Sequence, residues 1–269
     1  MELAGKLAAP TGGVTVEEFQ VGNVPCEFVH PDLAHNPQYV ILYAHGGGYT
    51  CGGLGYARVL AAKLAVSTGF SVVSFEYRLA PENKYPAPLE DAELVWNYLL
   101  SQGYEADHIL LAGDSAGGNL VLCLTQRLLE EGKEKPRMLV LFSPWTDMTA
   151  TANSYEVYMG KDPVLTKEYI VSVRDAFIGT EVEPKDSIYS PLYGSFENFP
   201  PTYIQVGRTE LLQDDSTGLA AAINKVGGHA KVEVFKDGWH VFQQMPLPQA
   251  GRAMKMVADE VSKEIYTNY

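Results

Sequence analysis

Residues 108–124 read His-Ile-Leu-Leu-Ala-Gly-Asp-Ser-Ala-Gly-Gly-Asn-Leu-Val-Leu-Cys-Leu. The opening apolar run predicts a buried strand, and the closing apolar run predicts a helix, so Gly113-Asp114-Ser115-Ala116-Gly117 forms the turn between them. Such a turn strains the serine backbone, and side chains at Gly113 and Gly117 would collide with the neighbouring strand and helix. We therefore expect Ser115 to project its hydroxyl above a sheet. An ordinary strand-to-helix turn is the alternative, because this pattern also occurs by chance in loops.

Short apolar runs alternate with helix-length amphipathic segments on both sides of this turn. The alternation predicts an α/β fold with a mostly parallel sheet of about eight strands and helices on both faces, preceded by an antiparallel hairpin. The predicted strands cover residues 14–19, 24–30, 39–44, 71–77, 108–112, 138–142, 202–206 and 231–235. The predicted helices cover residues 56–68, 89–102, 116–131, 215–226 and 249–265.

One connection is too long for a plain loop. Residues 145–200, between Pro144 and Pro201, separate two predicted strands and are rich in tyrosine. We expect a small helical insertion here that caps the sheet, within a single domain covering residues 1–269. A packed helix pair without substrate contact is the alternative.

Charge and cysteine content narrow the class of protein. The net charge of −13 argues against nucleic acid or an anionic membrane as a partner, because both would be repelled. Cys26, Cys51 and Cys123 match no zinc pattern or compact disulfide framework and are expected to be free thiols. With no signal-like start and no long apolar run, the sequence indicates a cytoplasmic protein.

An activated serine also needs donors for an oxyanion, and a glycine-rich stretch offers them. His45-Gly46-Gly47-Gly48 follows the strand predicted at 39–44, where backbone N–H groups could converge on a carbonyl oxygen. We expect Gly46, Gly47 and Ala116 to be the donors. The stretch lacks the Lys-Ser/Thr ending of a phosphate-binding loop. His45 is expected to brace the loop.

A base and an acid complete the set. His240 follows the last predicted strand, and the order serine, acid, histidine along the chain is that of α/β-hydrolases. The acid should follow the strand at 202–206, where Glu210 comes first and would orient the His240 imidazole. Asp214 is the competing acid, and Asp215 is predicted to be the N-cap of the next helix.

These motifs resemble those of the bacterial hormone-sensitive-lipase-like carboxylesterases of the α/β-hydrolase superfamily. The resemblance extends to Tyr77-Arg78-Leu79-Ala80-Pro81-Glu82, Tyr85-Pro86-Ala87 and Asp91, and it covers residues from about 24 to 242. It implies that Arg78 and Glu82 brace the catalytic loops. The family usually begins with two cap helices, whereas only Met1 to Ala9 precede the first strand here, so a reduced cap is expected.

The resemblance implies a serine carboxylesterase that hydrolyses small, short-acyl esters through an acyl-serine intermediate. No metal or organic cofactor is needed for that chemistry. Cleavage of an amide or a lactone at the same site is one alternative, and a catalytically silent small-molecule binder is another. The family often forms homodimers through its last strand, which residues 231–235 would provide here.

Overall fold

Runs of β-branched and other apolar residues form one eight-stranded sheet in the computed structural model, which describes residues 12–33 and 35–266. The order across the sheet is β1-β2-β4-β3-β5-β6-β7-β8. The strands are β1 (Val14–Val21), β2 (Val24–Pro31), β3 (Val40–Ala44), β4 (Ser71–Phe75), β5 (Ile109–Asp114), β6 (Leu139–Phe142), β7 (Thr202–Gly207) and β8 (Ala230–Phe235). β1 and β2 pair antiparallel, β2 pairs antiparallel with β4, and all the other pairs are parallel.

Seven α-helices connect or cover these strands within the described residues. They are α1 (Leu54–Thr68), α2 (Ala87–Ser101), α3 (Ala116–Glu130), α4 (Asn153–Val157), α5 (Lys167–Ile178), α6 (Gln213–Lys225) and α7 (Pro248–Tyr266). Every residue of β3, β4 and β5 is buried, as expected for parallel strands covered on both faces. The predicted fold class is confirmed, and each predicted strand and helix is present with ends shifted by a few residues.

The long connection between β6 and β7 contains α4, α5 and a short 3₁₀ helix, Pro191–Tyr193. We call residues 145–200 the insertion. The prediction of a shortened N-terminal part falls on Met1 to Ala9, which lie outside the described residues.

The parallel strands all end at the same edge of the sheet, which places several loops side by side. The glycine-rich stretch follows β3, Ser115 follows β5, and Glu210 and His240 follow β7 and β8. Residues far apart in the sequence therefore meet at this carboxyl edge. The three cysteines are free thiols, as predicted.

Candidate active site

Ser115 lies at the turn between β5 and α3 with a backbone φ of 53°. That conformation is strained for a residue with a side chain, and it turns the hydroxyl out of the sheet. A Cβ on Gly113 would lie 2.4 Å from the carbonyl oxygen of Gly117, and a Cβ on Gly117 would lie 2.0 Å from that of Ala44. The glycines are therefore required by close backbone packing, as the sequence predicts.

His240 reaches Ser115 from the loop after β8. Its Nε2 lies 3.0 Å from Ser115 Oγ, and the imidazole is buried. The next residue, Val241, has a positive φ of 51° and donates its N–H to Ser143 Oγ at 3.2 Å. This strained turn fixes the direction of the His240 ring.

Glu210 orients the other side of the imidazole. Its Oε1 lies 3.3 Å from His240 Nδ1, while its Oε2 accepts hydrogen bonds from the Ser143 hydroxyl at 2.9 Å and the Gly207 N–H at 2.7 Å. The carboxylate is fully buried, so these bonds replace its hydration. The structure therefore brings Ser115, His240 and Glu210 together in one chain of hydrogen bonds.

The other two acidic residues of this region have different partners. Asp214 accepts the N–H of Ser154 in the insertion at 2.8 Å. The N-cap prediction for Asp215 is wrong, because α6 begins at Gln213 and Asp215 lies inside its first turn. Its buried carboxylate instead accepts the N–H groups of Thr146 and Asp147, at 2.8 and 3.0 Å.

The electrostatic surroundings of His240 favour its protonated form. Burial, the largest single influence, lowers the pKa of His240, but the hydrogen bond and charge of Glu210 and the charges of Asp162 and Asp114 together outweigh burial. The net pKa is raised above the ordinary value of 6.5. A proton taken from Ser115 would therefore be stabilised on this imidazole.

One predicted oxyanion donor is wrong. The N–H of Gly46 donates to Asp114 Oδ1 at 2.8 Å, so it is not available to a substrate. Gly47 and Gly48 line the same cavity as Ser115, and their N–H groups make no hydrogen bond to any residue in the described part of the chain. Ala116 is the first residue of α3, so its N–H is unpaired within that helix. Gly48, which the sequence pattern did not single out, therefore has the free N–H at the cavity that was expected of Gly46.

His45 braces the glycine-rich stretch. Its Nδ1 hydrogen-bonds to the Gly46 carbonyl at 2.7 Å, and its ring stacks on Tyr77 at 4.3 Å between centroids. Burial lowers the pKa of His45 to about 4, so the ring is neutral at physiological pH. Tyr77 in turn donates its hydroxyl to the His45 carbonyl at 2.7 Å.

Arg78 and Glu82 differ in their contacts. Arg78 pairs with Asp91 and Glu90, both at 2.9 Å, and this holds the segment after β4 against α2. Glu82 is exposed, so the predicted brace is formed through Arg78 and Asp91.

An apolar cavity of about 340 Å³ opens above Ser115. The insertion supplies much of its wall, and Leu212 and Met245 supply part of the rest. The insertion's aliphatic and aromatic side chains in this wall are Trp145, Val164, Leu165, Tyr169, Ile170 and Val173. An uncharged organic group therefore suits the cavity better than a charged one.

Four residues at this edge were not predicted from the sequence: Gly48, Asp114, Ser143 and Asp162. Ser143 lies directly after β6, between the strands that carry Ser115 and Glu210, and that position is the signal that could identify it.

A cluster suited to a metal ion, Glu105, Asp107 and His108, precedes β5 at the opposite edge of the sheet. None of the described helices is both long and apolar enough to cross a bilayer.

The fold and the site define a hydrolase of the α/β class. The family model of the alpha/beta hydrolase fold matches residues 41–244, and the chain belongs to this family. It is 32% identical over 258 residues to an acetyl-hydrolase of Streptomyces hygroscopicus, covering 95% of this chain and 84% of that protein. It is also 32% identical over 222 residues to an esterase of Acinetobacter venetianus, covering 82% and 73%.

The solved structures agree with these relatives. A crystal structure of an esterase from the bacterial hormone-sensitive lipase family superimposes with a TM-score of 0.93 and 34% sequence identity, covering 98% of this chain and 89% of that one. The resemblance inferred from the motifs is confirmed, and the protein is a carboxylic ester hydrolase.

Proposed function

We propose that this esterase cleaves small, short-acyl carboxylic esters through an acyl-serine intermediate, with Ser115, His240 and Glu210 as its catalytic triad. The observation that carries the proposal is the continuous chain of hydrogen bonds from Ser115 Oγ through the His240 imidazole to Glu210. A nucleophile, a base and a group that orients the base are the three parts that such catalysis requires.

In the acylation half, His240 Nε2 accepts the Ser115 proton while Oγ attacks the ester carbonyl carbon. The resulting oxyanion accepts hydrogen bonds from the N–H groups of Gly47, Gly48 and Ala116. Collapse of this tetrahedral intermediate breaks the carbon–oxygen bond to the alcohol, which takes the proton from His240. In the second half, water gives its proton to His240 and attacks the acyl-serine, and Ser115 leaves with that proton as the free acid forms.

The size and polarity of the cavity support the choice of substrate. About 340 Å³ of mostly apolar space, lined by Ile170 and Val173, suits a short uncharged acyl or alcohol group. The relative from Streptomyces hygroscopicus is named an acetyl-hydrolase, which supports a short acyl group. Residues 145–200 then serve as the helical cap of a single domain, because they provide much of this apolar wall.

A panel of p-nitrophenyl esters tests the proposal. We expect wild type to release a burst of p-nitrophenol from the acetate and the butyrate, and Ser115→Ala to lower kcat by roughly 10⁶-fold. Ser101→Ala, at an exposed serine at the end of α2, is the matched control and should behave as wild type. Comparable turnover by Ser115→Ala would exclude the triad. Cleavage of matched amides on the same panel would indicate an amidase. A protein that a fluorophosphonate does not label would be a silent binder.

We also propose a homodimer formed through β8. Among the described residues this strand pairs with β7 on one side only, and Val234 on it is 41% exposed. A second copy could pair with the free edge and cover that side chain. Light scattering should give twice the mass of the chain, and Val234→Lys should give a monomer. A monomeric wild type would exclude the dimer.

The cytoplasmic location stays a prediction that cell fractionation would test.

A further inference from the structure

The residue after Glu210 is bonded to the insertion through both of its backbone groups. The N–H of Leu211 donates to Asp162 Oδ2 at 3.0 Å, and its carbonyl accepts the Ser154 hydroxyl at 2.5 Å. The turn that carries Glu210 is therefore fixed by side chains of the insertion as well as by the sheet.

Asp162 is a buried carboxylate, and within the described part of the chain its hydrogen bonds all come from backbone amides. Its Oδ1 accepts the N–H groups of Val164 at 2.8 Å and Leu165 at 3.0 Å. The side chains of these two residues line the cavity. It forms no ion pair with any lysine, arginine or histidine within residues 12–33 and 35–266. An anion buried without a counter-ion is costly, so it is a candidate for a functional role.

The position of Leu211 makes this contact relevant to catalysis. Glu210 Oε1 and His240 Nδ1 are 3.3 Å apart, which is already long for a hydrogen bond between charged groups. A small displacement of the turn at Leu211 would weaken that contact further. Such misplacement, even by about 1 Å, costs on the order of 10²-fold in rate.

We propose that Asp162 is a positioning residue: it holds the Glu210 turn through Leu211 and adds a second negative charge to the surroundings of His240. This rests on the proposed triad. The insertion then positions the catalytic acid as well as forming part of the cavity wall.

The charges around His240 give the proposal a second readout. The charges of three carboxylates from different elements act on the imidazole: Glu210 after β7, which contacts the ring, Asp162 in the insertion and Asp114 at the end of β5. Each raises the pKa of His240, because each stabilises the imidazolium. Since catalysis needs neutral His240, removing one of these charges should let activity persist to lower pH.

Asp162→Asn is the decisive variant. The amide keeps an oxygen for Val164 and Leu165 but places an NH₂ group against the Leu211 N–H, and it removes the charge. With p-nitrophenyl acetate we expect kcat to fall by about 10- to 100-fold with little change in KM. The acid limb of kcat/KM should move to lower pH.

Two further variants separate position from charge. Ser154→Ala removes the other contact to Leu211 but keeps the carboxylate, so kcat should fall by a smaller factor while the acid limb stays in place. Asp186→Asn is the matched control, since this exposed insertion aspartate caps its own turn through the Ile188 N–H at 3.1 Å. It should leave both quantities unchanged.

A folded Asp162→Asn enzyme with wild-type kcat, or with an unshifted acid limb, would overturn the proposal. If circular dichroism shows that this variant does not fold, Asp162→Ser provides the same test. Its hydroxyl can still accept from the turn but cannot reach Leu211. Failure of the triad itself is distinct, because it would show as turnover by Ser115→Ala.

Discussion

The N–H of Gly46 donates to Oδ1 of Asp114 at 2.8 Å, which ties the loop after β3 to the residue before Ser115. The same carboxylate accepts the hydroxyl groups of Tyr43 and Tyr56, the latter at 2.8 Å. Asp114 is fully buried, and burial raises its pKa above the usual value. The buried Asp114 carboxylate therefore helps to hold the glycine-rich loop against the nucleophile turn.

Replacing Asp114 should distinguish its acceptor role from its charge. Asp114→Ala removes the acceptor of three donors, of which the Gly46 N–H and the Tyr43 hydroxyl are buried, so we expect it to lower the free energy of unfolding by about 3 kcal/mol or more. In Asp114→Asn, one oxygen still serves Gly46 and Tyr43, while the NH₂ group can donate to the Tyr56 oxygen. That variant should lose less than about 1 kcal/mol in urea denaturation. Equal losses in the two variants would contradict the acceptor role.

Gly117 is predicted to tolerate no side chain. In Gly117→Ala the new Cβ would lie 2.0 Å from the Ala44 carbonyl oxygen, so β3 or α3 would have to move. We expect a loss of about 3 kcal/mol or more in the free energy of unfolding, together with loss of esterase activity.

Gly251→Ala provides the matched control for that substitution. Gly251 lies in α7 and is exposed, and a Cβ added there would meet no heavy atom of the described residues within 4 Å beyond its own helix and chain neighbours. Because alanine favours helix over glycine, it should stabilise the protein by about 0.5–1 kcal/mol. Losses of similar size at both sites would show that the contact at Gly117 is not the cause.

The sequence predicts the fold well because the fold depends on periodicity. Buried strands such as β3 and β5 are largely apolar runs. The glycines around Ser115 indicate a tight turn whose close packing leaves no room for side chains at those positions. The oxyanion donors depend instead on which way consecutive amides point. Nothing in the sequence distinguishes Gly46 from Gly48 as an oxyanion donor. The structure distinguishes them, because the Asp114 carboxylate accepts the N–H of Gly46.

Tertiary contacts also explain the other differences. The pattern before α6 suits an N-cap at Asp215, but the helix starts earlier and the carboxylate turns inward to Thr146. Ser143 is marked only by its place directly after β6, and the contact of Asp162 with Leu211 is not marked at all, because the partners Glu210 and Leu211 are distant in sequence. Such contacts follow from the packing of the insertion on the sheet, which periodicity does not describe.

A histidine pair at the other edge of the sheet should make stability pH-dependent. His30 Nδ1 and His35 Nε2 both lie 2.8 Å from Ser71 Oγ, a hydroxyl that can donate to one ring and accept from the other. Burial, and then the charge of His35, lower the pKa of His30, while Glu17 opposes them. At His30 the unfolded chain therefore binds more protons than the folded chain, so the contribution of this residue to stability should be lost as pH drops below the ordinary value of 6.5.

Urea denaturation on either side of that pH measures the effect. His30→Gln should lose part of the pH dependence that wild type shows, because glutamine does not titrate. His229→Gln, at an exposed histidine outside the cluster, should keep it. If His30→Gln and wild type showed the same dependence, the Ser71 cluster would not be its source.

Ile170 is expected to limit the length of the acyl or alcohol group that the cavity accepts. It is buried in α5 and lines the cavity above Ser115, so Ile170→Ala opens apolar space at that wall. Each added CH₂ that becomes buried there contributes about 0.8 kcal/mol, or roughly fourfold in kcat/KM. We therefore expect the preference for p-nitrophenyl hexanoate over acetate to rise about tenfold or more in this variant. Val157→Ala, in the insertion but outside the cavity wall, should leave the preference unchanged. A hexanoate-to-acetate ratio that stays at the wild-type value in Ile170→Ala would show that the longer chain lies elsewhere in the cavity.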